Sequence, residues 1–89
     1  MKTILLALAL LTSLNVFASG ASDTAEAVTE TIATFEADND EATIADFKGV
    51  KASPNGHGVS VTVYLKSGSK TKYGCHRHSA SEPFECHEN

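Results

Sequence analysis

Both cysteines and three of the four histidines fall within Gly74-Cys75-His76-Arg77-His78-Ser79-Ala80-Ser81-Glu82-Pro83-Phe84-Glu85-Cys86-His87. Imidazole and thiolate are the donors that zinc and copper accept most readily, so this density has chemical content. His76 and His78 are two residues apart, and on a strand that spacing projects both rings from one face, within reach of a shared ion. His87 joins them if Cys86 is bonded to Cys75, and Glu82, Glu85 and Glu88 offer oxygen donors nearby. Set against this, the spacing matches neither paired Cys-x-x-Cys units nor His-Glu-x-x-His, and exposed histidines on a solvated strand are the plainer alternative. The fourth imidazole, His57, sits in a turn region at either end of a sheet.

Whether the cysteines ligate or bridge depends on compartment. Lys2 precedes an apolar run from Ile4 to Leu14, and Val16-Phe17-Ala18 then places small or branched residues where a signal peptidase reads. Residues 1–18 are therefore expected to be a secretory signal peptide, with cleavage after Ala21 as the rival position and a single small domain over 22–89. The run is far shorter than the ~20 apolar residues that span a bilayer, so no membrane span is expected after cleavage. No cysteine follows it closely to accept a lipid. Export places the protein in a periplasm or outside the cell, where cysteines pair, and a Cys75 to Cys86 bridge is expected in preference to thiolate ligation. Closing a loop of this length stabilises a fold by about 2 to 3 kcal/mol, a useful supplement for a domain too short to build a large core.

A catalytic reading finds little support. Cys75 beside His76 supplies two suitable residue types, but neighbouring strand residues point to opposite faces and the thiol is expected to be oxidised. There is no Gly-rich phosphate loop and no Gly-x-Ser-x-Gly elbow. The chain is expected not to be an enzyme.

The elements that position these residues read as follows. Asp23-Thr24-Ala25-Glu26 resembles a capping box, and Val28, Ile32 and Phe35 fall at i, i+4 and i+7, which predicts one amphipathic helix ending near Asp38-Asn39-Asp40-Glu41. Threonines at 24, 29, 31 and 34 oppose it, but strand alternation would split Phe35 from Val28 and Ile32. From Ala42 the pattern becomes short runs broken by turn residues, predicting three antiparallel strands: 43–52, 59–66 and 70–78, with turns at Ser53-Pro54-Asn55-Gly56 and Ser67-Gly68-Ser69. Val59, Val61, Val63 and Leu65 alternate with Ser60, Thr62, Tyr64 and Lys66, so the first set faces the core. Pairing Val63 with Tyr73, Leu65 with Thr71 and Val61 with Cys75 keeps like with like. Tyr73 and Cys75 then face inward, while Lys70, Lys72, His76 and His78 share the outer face with Lys66. A bulge at Gly49 would let Phe47 and Val50 both point inward. The expected architecture is α+β, one N-terminal amphipathic helix on a three-stranded antiparallel sheet, with a C-terminal tail stapled by one disulfide.

Charge is segregated along the chain. Asp23 through Asp46 holds eight acids and no base, whereas Phe47 through Ser81 holds Lys48, Lys51, Lys66, Lys70, Lys72 and Arg77 and no acid. Two readings compete: attraction between helix and sheet inside the fold, and a basic strand face of Lys66, Lys70, Lys72 and Arg77 with Tyr64 that meets an anionic partner. Sequence-specific nucleic-acid binding is not expected, because the bases are few and the acidic helix repels phosphate from its side. The functional expectation is a small, exported, monomeric, non-enzymatic binding or accessory protein with no cofactor, docking an anionic envelope polymer or protein partner. The alternative is a Zn2+ or Cu2+ binding protein using His76, His78 and His87.

Overall fold

The computed structural model describes residues 15–89; the apolar run at 4–14, on which the signal-peptide reading rests, lies outside them. The chain forms α1 (Asn15–Asp38), α2 (Glu41–Ala45), β1 (Phe47–Asn55), β2 (Gly58–Leu65), β3 (Lys70–His76) and β4 (Glu85–Glu88). The strands make one antiparallel sheet in the order β1-β2-β3-β4, and α1 packs across one of its faces. No helix among the described residues is long and apolar enough to cross a membrane.

The α+β expectation holds at this level, with corrections to its parts. Asp23 is not a helix cap: α1 already runs from Asn15, and Asp23 lies inside it. Thr24 and Thr29 fit because their hydroxyls donate to the carbonyls of Gly20 and Ala25, at 2.6 and 3.1 Å. Asn39 closes the helix by donating its side-chain amide to the Phe35 carbonyl at 2.8 Å. Residues expected to begin the first strand instead form α2, because Asp40 caps it: its carboxylate accepts from the Thr43 N–H at 2.9 Å, and hydrogen bonding to the Thr43 side chain first, then to that N–H, holds the carboxyl below its ordinary range.

β1 continues through Ser53, Pro54 and Asn55, where the sequence predicts a turn. Proline is tolerated there because β1 is an edge strand whose free side needs no donor. The turn is Gly56-His57, where Asn55 Oδ1 accepts from the N–H groups of His57 and Gly58 at 2.7 and 2.9 Å. The expected bulge is present, with the register shifting between Phe47 and Gly49, and Phe47 and Val50 both pack against the core.

The β2–β3 register differs from the expectation by two residues. Val59 faces Cys75, Val61 faces Tyr73 and Val63 faces Thr71. The loop is Lys66-Ser67-Gly68, with Gly68 at φ 102°, and the Leu65 N–H reaches the Ser69 carbonyl at 2.9 Å. A three-residue hairpin loop wants a positive-φ residue in third place, which centres it one residue earlier than the expected Ser67-Gly68-Ser69 turn. Since the slip is even, the faces are unchanged: Val61 and Val63 are 0% exposed, Tyr73 1% and Cys75 3%.

The largest correction is the fourth strand. The tail is not merely pinned back; residues 85–88 pair with β3, Cys86 directly opposite Cys75. Phe84, Glu85, Cys86 and His87 alternate buried and exposed, a strand pattern of period two. The core lies between α1 and the sheet in two clusters. One holds Ala27, Val59, Val61, Cys75, Phe84 and Cys86, and the other Phe35, Val63 and Tyr73. The buried stripe of α1 is Ala27, Thr31 and Phe35; Val28 and Ile32 are half-buried on its flank. Small side chains at 27 and 31 leave room for the disulfide beneath them.

Candidate functional site: the open face of the sheet

Helix α1 covers one face of the sheet and leaves the other open. The same alternation that buries Val61, Val63, Tyr73, Cys75 and Cys86 places Ser60, Thr62, Tyr64, Lys70, Lys72, Gly74, His76, Glu85 and His87 on the open face. Residues expected to do chemistry are thus gathered on one surface and sorted into two ends.

The lysine end is built by register. Lys51, Thr62 and Lys72 lie in one row across β1, β2 and β3, and Tyr64 pairs with Lys70 in the next. Strands ~4.8 Å apart put the Lys51 and Lys72 backbones about 10 Å apart, with Lys70 about 7 Å along β3 from Lys72. Lys66 lies in the adjoining hairpin loop, its backbone N–H donating to the Asp46 carbonyl at 2.8 Å. Among the described residues, no lysine has a carboxylate at ion-pair distance. Charge complementarity within the fold therefore does not absorb these lysines: Asp23, Glu26, Glu30, Glu36 and Asp38 lie on α1 behind the sheet, and Glu85 lies at the other end of the open face.

Arg77, expected beside these lysines as a docking residue, instead turns back onto the helix. Its guanidinium meets Asp23 Oδ1 at 3.0 Å and Glu26 Oε1 at 3.8 Å, and sits 4.9 Å over the Phe84 ring. Glu26 also accepts from the Phe84 N–H at 3.1 Å. This clamp fastens the 77–84 connection to α1, and Arg77 is left out of the open face.

At the histidine end, His76 pairs with Glu85 across β3 and β4, and His87 follows Glu85 on the same face. His87 Nε2 lies 3.5 Å from Glu85 Oε1. The three expected imidazoles are neighbours: His78 meets His76 edge-on with ring centres 5.2 Å apart, and His87 lies 5.8 Å from His76. The set whose donor atoms all lie within 4.8 Å of one another is His76, Glu85 and His87, without His78. In sequence Glu85 is one of three nearby carboxylates; only β4 pairing singles it out.

Beside this cluster is an open depression of about 430 Å³ lined by Asn55, His57, Gly58, Gly74, His76 and His87. Two of its lining residues are glycines. A Cβ at Gly58 would run into the Cys75 carbonyl oxygen, and one at Gly74 would meet the Asn89 side chain at 3.3 Å. His57, which the sequence alone leaves at either end of the sheet, lies at the histidine end.

Below the same residues, on the buried side, is the Cys75–Cys86 disulfide. It joins directly opposed residues with Cα atoms 4.1 Å apart, as suits a pair lying between the hydrogen-bonded rungs at Gly74–His87 and His76–Glu85. Thr31 of α1, 0% exposed, points its hydroxyl at the two sulfurs, at 3.1 and 3.3 Å. Both sulfurs also approach the Ala27 carbonyl oxygen, at 3.7 and 3.5 Å, as contacts rather than hydrogen bonds, since the oxidised pair carries no S–H. No protein-family model, curated protein or solved structure matches this chain.

Proposed function

We propose that the protein is an exported, non-enzymatic binding module that docks an anionic partner, an envelope polymer or an acidic protein surface, through the lysine end of its open sheet face. The observation that carries this is the set of lysines without carboxylate partners on a face the acidic helix leaves uncovered. Lys51 on β1 and Lys70 and Lys72 on β3 stand as a triangle held by β2 between them, with Tyr64 beside them and Lys66 in the adjoining loop. Fixed cationic spacing suits a partner that repeats carboxylate or phosphate groups along its length. The helix acids on the far side orient the domain as it approaches such a partner. Export is supported by the disulfide, a bond that persists in oxidising compartments. Binding is favoured over catalysis because the only thiols are oxidised and buried beneath α1.

The test is retention of an envelope fraction on immobilised protein at low and high salt. Retention should fall steeply with salt, as expected of exposed charges screened over about 10 Å, and should be lost in a Lys70→Glu/Lys72→Glu variant. Both positions are exposed, so the variant keeps its fold. Retention indifferent to salt and to the charge reversal removes the reading.

A further inference from the structure

We infer that His76, Glu85 and His87 form a binding site for a borderline divalent transition-metal ion, Cu2+ ahead of Zn2+, whose geometry is set by the disulfide beneath it. This site lies at the other end of the same open face from the docking lysines and does not depend on them.

The donor set comes first. Two imidazoles and one carboxylate make a ligand combination that zinc accepts, and the order of divalent affinities at such a site places Cu2+ above Zn2+. Ca2+ and Mg2+ want mostly oxygen donors, and only one carboxylate is present in the cluster. Ions that seek thiolate find none, because both sulfurs are in the bridge on the opposite face. Three protein ligands leave coordination positions open toward solvent and the neighbouring depression.

Geometry comes second. Bonds of about 2.0 to 2.1 Å put donor atoms about 3.3 Å apart in the tetrahedral arrangement zinc takes, and about 2.9 Å apart at adjacent corners of the tetragonal one Cu2+ prefers. His87 Nε2 and Glu85 Oε1 are already at 3.5 Å. All three donors lie within 4.8 Å of one another, so closure asks the donors to approach by at most about 1.5 to 2 Å. The side chains of His87 and Glu85 are 66% and 54% exposed, free to make that rotation with no change in backbone.

Preorganisation comes third. The three ligands are the immediate chain neighbours of the bridged cysteines: His76 follows Cys75, and Glu85 and His87 flank Cys86. Strand alternation turns the sulfurs into the core and the donors outward, so the bond that staples the core also fixes the distance between the strand carrying one ligand and the strand carrying two. β4 is an edge strand of four residues, and its register on β3 is what gathers the ligands. Without the cross-link, part of the binding energy must go into ordering β4, and affinity falls.

The test is calorimetric titration of the untagged, disulfide-bonded full chain with CuSO4 and with ZnSO4, with variants His76→Ala, His87→Ala, Glu85→Gln, His78→Ala and Cys75→Ala/Cys86→Ala. Saturable binding of one ion per chain, tighter for Cu2+, is expected. His76→Ala and His87→Ala should lose it, Glu85→Gln should weaken it about tenfold, and His78→Ala should leave it within about threefold. The cysteine-free chain should bind at least about tenfold more weakly. All three ligand positions are on the open face, and far-UV circular dichroism of each ligand variant establishes that the fold is retained. No saturable binding in the wild type, or equal losses for His78→Ala and His87→Ala, overturns the site. Undiminished binding by a folded cysteine-free chain overturns the role of the disulfide.

Discussion

Removing the disulfide is the perturbation whose outcome the structure constrains most tightly. The bridged residues are eleven apart in sequence, so the cross-link restricts a short loop in the unfolded chain. Loop-closure entropy puts its contribution at about 3 kcal/mol. A domain of this size holds about 4 to 10 kcal/mol in all, so a Cys75→Ala/Cys86→Ala chain should stay folded at 25 °C with a large part of its margin gone. With a urea dependence of about 1 kcal/mol per molar, the midpoint should fall by about 2 to 3 M. The loss should be uneven. In the sheet β4 pairs only with β3; it also packs on α1 through Cys86, and Phe84, 5% exposed, and the clamp from Arg77 and Glu26 hold the chain that leads into it. Amide exchange should therefore show the His87 and Asn89 N–H groups, which bond into β3, losing protection before those of β2. The assay is a urea titration followed by circular dichroism, with alkylation and intact mass confirming the bridge in the wild type. A midpoint shift below about 0.5 M, with the wild type fully bridged, would show that β4 docks without help and would refute this account.

Three further outcomes follow from the structure. Val61→Asp and Val63→Asp should be unfolded at neutral pH, because an unpaired carboxylate at a 0% exposed position costs several kcal/mol, whereas Ser60→Asp and Thr62→Asp should fold; thermal melts of the four decide the face assignment. Tyr73 has its hydroxyl pKa raised above 10.0, by burial first and then by Glu88 and Asp38, so the folded chain holds that proton more tightly than the unfolded chain. Its stabilising effect is complete below about pH 10 and is lost as pH rises through the folded value, so Tyr73→Phe should flatten the alkaline fall in stability; an unchanged fall would place its cause elsewhere. Gly58→Ala forces a Cβ onto the Cys75 carbonyl and should destabilise by about 1 to 3 kcal/mol in urea melts, with a neutral result contradicting the tight approach of β2 to β3.

Particular residues show what was legible in the sequence. The valine alternation of β2 is a strong period-two signal, and it carries the inward placement of Tyr73 and Cys75 with it. Register is less legible, because any even slip preserves the faces; only the demand of a three-residue loop for Gly68 in third place separates the observed pairing from its neighbour. On α1, apolar spacing points to Val28 and Ile32, while the centre of the buried stripe is Ala27 and Thr31. Periodicity rewards large side chains, and here the face is set by small ones that admit a disulfide. β4 escapes a sequence reading because four residues behind Pro83 are too few for a convincing pattern, although Phe84 and Cys86 alternate with Glu85 and His87. That omission hides Glu85, whose place beside His87 depends wholly on β4 pairing with β3.

The two ends of the open face rest on different local determinants, which makes them separable. The lysine end is positioned by the β1–β2–β3 pairing and the Gly68 loop, far from the bridge in register: Lys70 and Lys72 precede Cys75, and Lys51 lies on the opposite edge strand. The histidine end is positioned by β4, and β4 by the bond between Cys75 and Cys86. Loss of that bond should therefore weaken metal binding while leaving salt-dependent retention of an anionic partner intact. Reversing charge at Lys70 and Lys72 should do the opposite. A cysteine-free chain that lost both would mean that the sheet responds as one cooperative unit, and the division of the face into two ends would have to be given up.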